Sequence, residues 1–392
     1  MTATERPLAT TNLDAAARIV WDVLVIGAGP AGAMAAREAA RRGASVLLVD
    51  RVRFPRTKVC GCCLNGAALG ILRDTGLGEL PQQCGAPALS AFHLACRGRS
   101  ATVPLTEGVS LSRDRLDAEL IKAAITEGAS FLDQTQASIN VTEANHCRVE
   151  LKSEAGHASA SAKIVVVAGG LGCRAFADTE DDERQTADSS RVGAGTVLAE
   201  APDEYAAGTI YMACHRDGYT GLVRLEDGRL DIAAALDAAA IKRRGGVGPL
   251  IEELLRSSGL PLPATMAEAK WHGTARLTQH RQRVFGDRHF VIGDAAGYVE
   301  PFTGEGMAWA LATGRAVVPL VLESLDAGTR LTGPAWERAQ HNLIGSRMRL
   351  CRLVSQSLRS PLLVQLAVQL LSWMPSLARP VVRSLNNPFA TQ

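Results

Sequence analysis

Four short, mainly apolar runs punctuate the chain: Val23–Ile26, Ser45–Val49, Ile164–Ala168 and His289–Ile292. They do not alternate with polar residues, so each predicts a strand buried on both faces, as in a parallel sheet. Elsewhere the pattern alternates. Leu89–Cys96 and Ser100–Leu105 predict a hairpin around Arg97-Gly98-Arg99. Ser138–Val141, Arg148–Lys152 and Ser159–Ala162 predict a small antiparallel meander, and Val192–Leu236 breaks into short runs with Gly and Asp turns. Helical patterns fill the gaps. Ala31–Arg42 is Ala-rich, with Arg37, Arg41 and Arg42 late, where cations oppose the helix dipole, and Gly43 at the stop. Leu116, Leu120, Ile121 and Ala124 lie at helical spacing behind Ser112 as a cap, predicting a helix from Arg113 to about Glu127. Gly66–Arg73, Ile241–Ser258 and a long helix from Met307 to about Leu325 follow the same logic. Trp336–Leu385 reads as mostly helical, interrupted by Pro361, Pro375 and Pro380. Arg51–Lys58, Pro81–Pro87 and the acidic Thr179–Asp188 read as loops, with a break at Leu260–Pro263.

Together these elements predict an α/β protein. A Rossmann-type domain with a parallel sheet would comprise residues 18–85, 108–175 and 280–327. A second, antiparallel-sheet substrate domain would comprise 86–107 and 176–279, and a helical C-terminal segment 328–392. The 392 residues suffice for two or three core-forming units. A net charge of +2 argues against a nucleic-acid partner. Met1–Arg18 is polar and Ala/Thr-rich, so it predicts a frayed tail and not a secretory signal. No run of about 20 uncharged apolar residues predicts a spanning helix. Nine scattered cysteines favour reduced thiols and a cytoplasmic setting. The eight histidines show no metal-ligand spacing, so no metal is expected.

The chemistry starts at Gly27-Ala28-Gly29-Pro30-Ala31-Gly32, a G-x-G-x-x-G between the first strand and its helix. Gly27 permits the tight turn, Gly29 lets a pyrophosphate approach the backbone, and Gly32 lets helix pack on strand. The helix start offers free N–H groups and a partial positive charge to phosphates. Asp50 ends the second strand at about the distance needed to bind ribose hydroxyls, and Arg51 beside it could stack on an adenine. A lone glycine motif is weak, but strand, helix, strand and acid all stand in place here, which predicts dinucleotide binding.

Three patches carry a wider resemblance: Gly27–Asp50; Ser112-Arg113-Asp114-Arg115-Leu116-Asp117; and Val291–Met307, which reads VIGDAAGYVEPFTGEGM. To about Ala327 the chain resembles the FAD-binding domain shared by aromatic hydroxylases, flavin halogenases and geranylgeranyl reductases. Gly304-Glu305-Gly306 and the Lys58-Val59-Cys60-Gly61 loop are similar to the geranylgeranyl reductase branch. The hydroxylase pattern would put a His where Gly297 stands and an Asp where Gly169-Gly170 lies. Trp271-His272-Gly273 does not match the halogenase Trp-x-Trp-x-Ile-Pro element. Tyr219-Thr220-Gly221-Leu222-Val223-Arg224 lacks the aromatic Trp and Phe that the reductases tend to carry there, so polyprenyl specificity does not carry over. The resemblance implies FAD as cofactor, with Arg113 on the cofactor and Gly293 and Asp294 at its ribityl or pyrophosphate part. It also implies Gly61, Gly304, Gly306 and Met307 beside the flavin. There the helix dipole would stabilise charge on the reduced ring, and glycine would leave room for it.

Other residues remain open between chemistry and packing. Glu305 could act as an acid near the substrate or point away. Cys60 could line the active site, and Cys60 with Cys63 forms a C-x-x-C that could pass electrons as a dithiol. The alternative is that Cys60, Cys62 and Cys63 are small residues packed under the isoalloxazine. Tyr211 and His215 could donate a proton or be ordinary sheet residues. Arg347, Arg349, Arg352 and Arg359 precede the largely apolar Leu362–Trp373. That segment could lie on a membrane surface or guard substrate entry, or pack on the flavin domain or a second subunit. Three activities fit the resemblance. One is hydride transfer between flavin N5 and a C=C bond of a hydrophobic or natural-product substrate. The others are an FAD monooxygenase using NAD(P)H and O2, and a non-catalytic electron carrier. NAD(P)H is a candidate donor, but no second Gly-rich motif marks its site.

Overall fold

The four apolar runs do assemble side by side. The structure is a computed structural model and describes residues 8–389, apart from 144, 177–183, 301, 328 and 331. The elements that build the site are β1 (Val20–Ile26), α1 (Pro30–Ala40), β2 (Val46–Val49), α2 (Arg113–Thr126), β3 (Gly156–Val167), β4 (Leu230–Leu236), α3 (Gly306–Ala316), α4 (Thr332–Ser357), α5 (Pro361–Trp373) and α6 (Arg379–Asn386). β1 sits centrally. It pairs in parallel with β2 on one side and β3 on the other, with Val23 opposite both Val46 and Ile164. Ser130–Leu132 extends the sheet beyond β2, and His289–Val291 beyond β3, both in parallel. Leu24, Leu47, Leu48, Val165 and Phe290 are fully buried between helices on the two faces. That burial on both faces is why these runs carry no polar alternation.

β3 departs from expectation. The predicted third meander strand and the apolar run after it are one continuous strand. Its first half pairs antiparallel with Cys147–Ser153, and its second half runs parallel to β1. Its burial alternates at first, where one face is covered, and is then unbroken, where both are. The predicted frayed tail is also ordered in part. Leu13–Ala17 forms a helix capped by Asn12, and the Trp21 indole donates to Ala16 O at 2.9 Å. Of the acidic segment Thr179–Asp188, residues 179–183 lie outside the described residues, and Arg184–Thr186 forms a strand rather than loop.

The second sheet runs in the order His272–Arg276, Val192–Leu198, β4, Gly218–Arg224, Thr209–His215, Ala91–Cys96, Arg99–Pro104. All neighbours are antiparallel except Thr209–His215 beside Ala91–Cys96. A parallel pair needs a long crossover. Here the chain returns to this sheet only after completing much of the first one. The Ile241–Ser258 helix is split into Ala238–Arg243 and Val247–Ser258 by Gly245 and Gly246, whose φ values are +77° and +144°. The helix expected from Met307 to Leu325 likewise divides into α3 and Val318–Ala327. Pro319 lacks an N–H, and its ring would crowd the Arg315 carbonyl. Gly306–Asp326 is apolar and long enough to cross a membrane, yet it is 61% buried. Trp336 of α4 is fully buried and donates to Val291 O at 3.1 Å, which fixes the C-terminal helices to the sheet.

Candidate cofactor and substrate site

The β1–α1 turn has the features that close phosphate approach requires. Gly27 has φ +104°, and a Cβ there would lie 2.5 Å from Ala168 O. A Cβ on Gly32 would lie 1.8 Å from Gly27 O, so helix and strand touch there. Gly29, the N-cap of α1, instead has only the Nη2 atoms of Arg56 and Arg113 near its would-be Cβ, both at 3.8 Å. Its backbone is open to a cavity lined by two cations. The Ala28 N–H donates to Asp50 Oδ2 at 2.7 Å and the Val52 N–H to Asp50 Oδ1 at 3.1 Å. Asp50 therefore braces the turn while it also lines the cavity.

Ser112 caps α2 and puts Arg113 at its first position. The Arg113 guanidinium makes two hydrogen bonds to Asp117, at 2.9 and 2.8 Å. Arg56 shares the same carboxylate at 3.3 Å, and its Nη1 is buried without a hydrogen-bond partner. Lys58 Nζ lies 3.3 Å from the would-be Cβ of Gly170. Burial lowers the pKa of both Arg56 and Lys58, and the Arg113 charge adds to that effect. Asp294 lies near Lys58 and Arg113. Burial raises its pKa, and those two cations work against the rise. A glycine cradle, a helix N-terminus and a buried guanidinium N–H without an acceptor fit the pyrophosphate of FAD.

At the other end, Gly304 has φ +69° and no atom within 4 Å of its would-be Cβ. Gly306 opens α3, and Gly304, Gly306 and Met307 face the same cavity. Glu305, between them, does not line it. Its buried carboxylate pairs with Arg347 of α4 at 2.8 Å and accepts from Thr303 Oγ1 at 3.2 Å. This corrects its candidacy as a catalytic acid: the carboxylate is turned into the α3–α4 contact.

The cavity holds about 1510 Å³ and is mainly apolar, more than the ~300–1,000 Å³ of a pocket for one small ligand. That leaves room for a cofactor and a second molecule. Phe92, Met212, Leu222, Tyr298 and Phe302 contribute to its walls. Cys60 stands on the wall within reach of Arg113. A hydrogen bond from the Cys62 thiol lowers the Cys60 pKa against the effect of burial, and the Arg113 charge assists; the Cys62 pKa rises correspondingly. Cys63 instead donates to Gly61 O at 2.9 Å. The interacting thiols are thus Cys60 and Cys62, and the C-x-x-C spacing of Cys60 and Cys63 is not the pairing the fold makes. Asp231 of β4 is buried beside Cys62, with Oδ2 lacking a partner, and burial raises its pKa well above the ordinary carboxyl value.

Of the residues expected from sequence, Gly27, Gly29, Pro30, Ala31, Asp50, Arg51, Cys60, Gly61, Arg113, Asp294, Gly304, Gly306 and Met307 line this one cavity. Ala28, Gly32, Gly293 and Glu305 stand behind its wall. A Cβ on Gly293, φ +59°, would lie 2.9 Å from the Ala31 Cβ, so it keeps the two glycine turns in contact. Tyr211 and His215 do not reach the cavity: Tyr211 Oη accepts from the Ala206 N–H, and His215 Nδ1 from the Asp217 N–H. Sequence reasoning missed Arg56 and Asp231. Arg56 was legible only as one of several basic residues in a loop. Asp231 carried a faint signal, a lone acid inside Leu-Asp-Ile-Ala-Ala-Ala-Leu. Among the described residues no cluster could hold a metal ion.

Comparisons with known proteins agree with this geometry. The sequence pattern of the FAD binding domain family matches residues 20–320. The menaquinone reductase of Mycobacterium tuberculosis is 28% identical over 325 residues, covering 78% of this chain and 77% of that protein. Digeranylgeranylglycerophospholipid reductase 2 of Methanothermobacter thermautotrophicus is 27% identical over 316 residues, covering 79% of each. Among solved structures, a flavoprotein/dehydrogenase from Cytophaga hutchinsonii superimposes with TM-score 0.77 at 16% identity, covering 94% of this chain and 93% of that one. The halogenase PltM in complex with phloroglucinol and FAD gives TM-score 0.72 at 18% identity, covering 93% and 85%. The chain belongs to the FAD-binding domain family, and its cofactor is FAD.

Proposed function

We propose that this flavoprotein reduces or desaturates a C=C bond of an apolar substrate held in the cavity beyond the cofactor. The carrying observation is a large, mainly apolar cavity in which Asp231, Cys62 and Cys60 come together on the wall, apart from the cations of the glycine turn. Bound FAD supplies a two-electron carrier that exchanges a hydride at N5. Arg56, Lys58, Arg113 and the Gly27–Gly32 turn would hold its pyrophosphate, and the start of α3 would face its pyrimidine edge. For reduction, one carbon of the double bond takes a hydride and the other must take a proton. The chain's own candidate for that proton is the Asp231–Cys62–Cys60 group. A buried carboxyl of raised pKa, hydrogen-bonded to the Cys62 thiol and close to Cys60, whose pKa is lowered, suits proton delivery into a dry site. NAD(P)H is the donor class proposed to recharge the flavin. The names of the relatives, one a quinone reductase and one a prenyl-lipid reductase, support the reductive direction.

The test uses the yellow holoenzyme, reduced anaerobically with NADPH or dithionite. Mixed with a polyprenylated naphthoquinone or a polyprenyl lipid, the reduced flavin should reoxidise without oxygen and yield a product two hydrogens heavier. Reoxidation that requires O2, with a hydroxylated or halogenated product, would overturn the reductase reading.

A further inference from the structure

We infer that the C-terminal helices form a docking surface for an anionic lipid bilayer, and that the cavity opens onto it. The inference rests on reading the cavity as an apolar substrate's site. All but three of the large apolar side chains exposed among the described residues lie between Leu353 and Val381; the exceptions are Ile19, Val20 and Val141. Leu362, Leu366, Leu370 and Trp373 project from α5, Leu377 from the short turn after it and Val381 from α6. Trp373 is 72% exposed, an arrangement that water penalises unless something covers it.

Charge and length indicate what covers it. From Arg338 to Gln392 the chain has no Asp or Glu, yet it carries Arg338, Arg347, Arg349, Arg352, Arg359, Arg379 and Arg383. Arg379 and Arg383 flank Val381 on α6, are exposed and make no ion pair among the described residues. Arg97 and Arg99 add to this at the hairpin tip, which Arg99 ties to α5 by donating to Gln369 Oε1 at 2.7 Å. Arg347 and Arg359 are paired with Glu305 and with Asp237 and Glu300, so the unneutralised cations on the face itself are Arg379 and Arg383. An apolar face carrying them suits anionic headgroups better than a second copy, which would set cation against cation. α5 has 13 residues and meets the following helical stretch at a 118° bend. Neither limb is long enough to span a bilayer, so the pair would lie in its surface.

The patch and the cavity share side chains. Leu370, Leu377 and Val381 are exposed and also line the cavity, joined there by Leu371, Val382 and Leu385. The mouth therefore lies within the apolar face. A water-insoluble substrate could pass from lipid to the flavin without crossing water, which removes the desolvation step that a mouth facing solvent would impose.

The test is flotation of full-length holoenzyme with vesicles of phosphatidylcholine alone or mixed with phosphatidylglycerol. Protein and flavin should float together with the anionic vesicles, and raising the salt should weaken binding by about tenfold or more. Leu366→Glu with Trp373→Glu, both on exposed positions, should abolish flotation while FAD content and Tm stay unchanged. Arg379→Glu with Arg383→Glu should lower binding to the anionic vesicles by about tenfold or more and leave the phosphatidylcholine result unchanged. Wild-type protein that floats with neither vesicle would overturn the inference. So would a concentration-dependent dimer, seen by light scattering, that the Glu variants dissociate, since the face would then belong to a second copy. Yellow protein that does not float leaves the FAD reading intact; colourless protein that floats would leave the surface and remove the flavin.

Discussion

At the residue scale, Asp231 is the most exacting position. Its carboxyl is 4% exposed, one oxygen lacks a partner, and burial raises its pKa in the folded protein. The sign follows from linkage. The folded state holds this proton more tightly than the unfolded chain does, so the contribution to stability is full below the ordinary value of 3.8 and is lost as pH rises through the raised folded value. Asp231→Asn keeps the shape and removes the ionisation. Its Tm should therefore fall less than that of the wild type between pH 5 and pH 8. If Asp231 also delivers the substrate proton, the variant's turnover should lose the descending limb at high pH that depends on this group. Equal Tm slopes for the two proteins would mean that Asp231 ionises as readily in the fold as in water.

At the element scale, the start of α3 depends on its contact with α4. Glu305 is buried, and its charge is matched by Arg347 at 2.8 Å. Arg347 also lies over the Phe389 ring at 4.4 Å and donates to Asn387 O at 2.6 Å, so it joins the residues just past α6 to the cavity-facing start of α3. Removing one partner of a buried pair leaves a stranded charge and costs roughly 3–5 kcal/mol. Arg347→Met should lower stability by about that amount in urea unfolding, whereas Glu305→Gln combined with Arg347→Met should recover most of it. No recovery in the double variant would put the loss in the Phe389 and Asn387 contacts instead of the ion pair. The Gly304-Glu305-Gly306 pattern marks this turn from sequence, but the direction of the middle side chain depends on a helix some 40 residues further along.

At the scale of the whole molecule, the cavity is a joint product of both sheets and the C-terminal helices. Its lining runs from Gly27 through Asp231 to Leu385. A ligand that bridges these parts binds the folded state alone and stabilises it by about 2.7 kcal/mol at a hundred times its Kd. Adding FAD to the apoprotein should therefore raise Tm by a few degrees, and NAD(P)H alone should not. An FAD-independent Tm in a protein that stays colourless would remove the cofactor assignment.

Local pattern was enough to locate the strands of the parallel sheet and the two glycine turns. Apolar runs without alternation need burial on both faces, and a positive φ or a close backbone approach needs glycine wherever it occurs. These demands act over a few residues, so Val23–Ile26, Gly27, Gly32, Asp50 and Gly304 could be read in order along the chain. Asp231 joins Cys62, Arg56 joins Arg113, Glu305 joins Arg347, and β3 continues from a meander into the parallel sheet, all through contacts between distant segments. A side chain's protonation, its pairing and the cavity it faces are set by neighbours that only folding supplies. That is why the glycine turns that line the cavity were legible from local pattern, while the company kept by Arg56 and Asp231, and the meeting of the cavity with the exposed apolar helices, were decided by the tertiary structure.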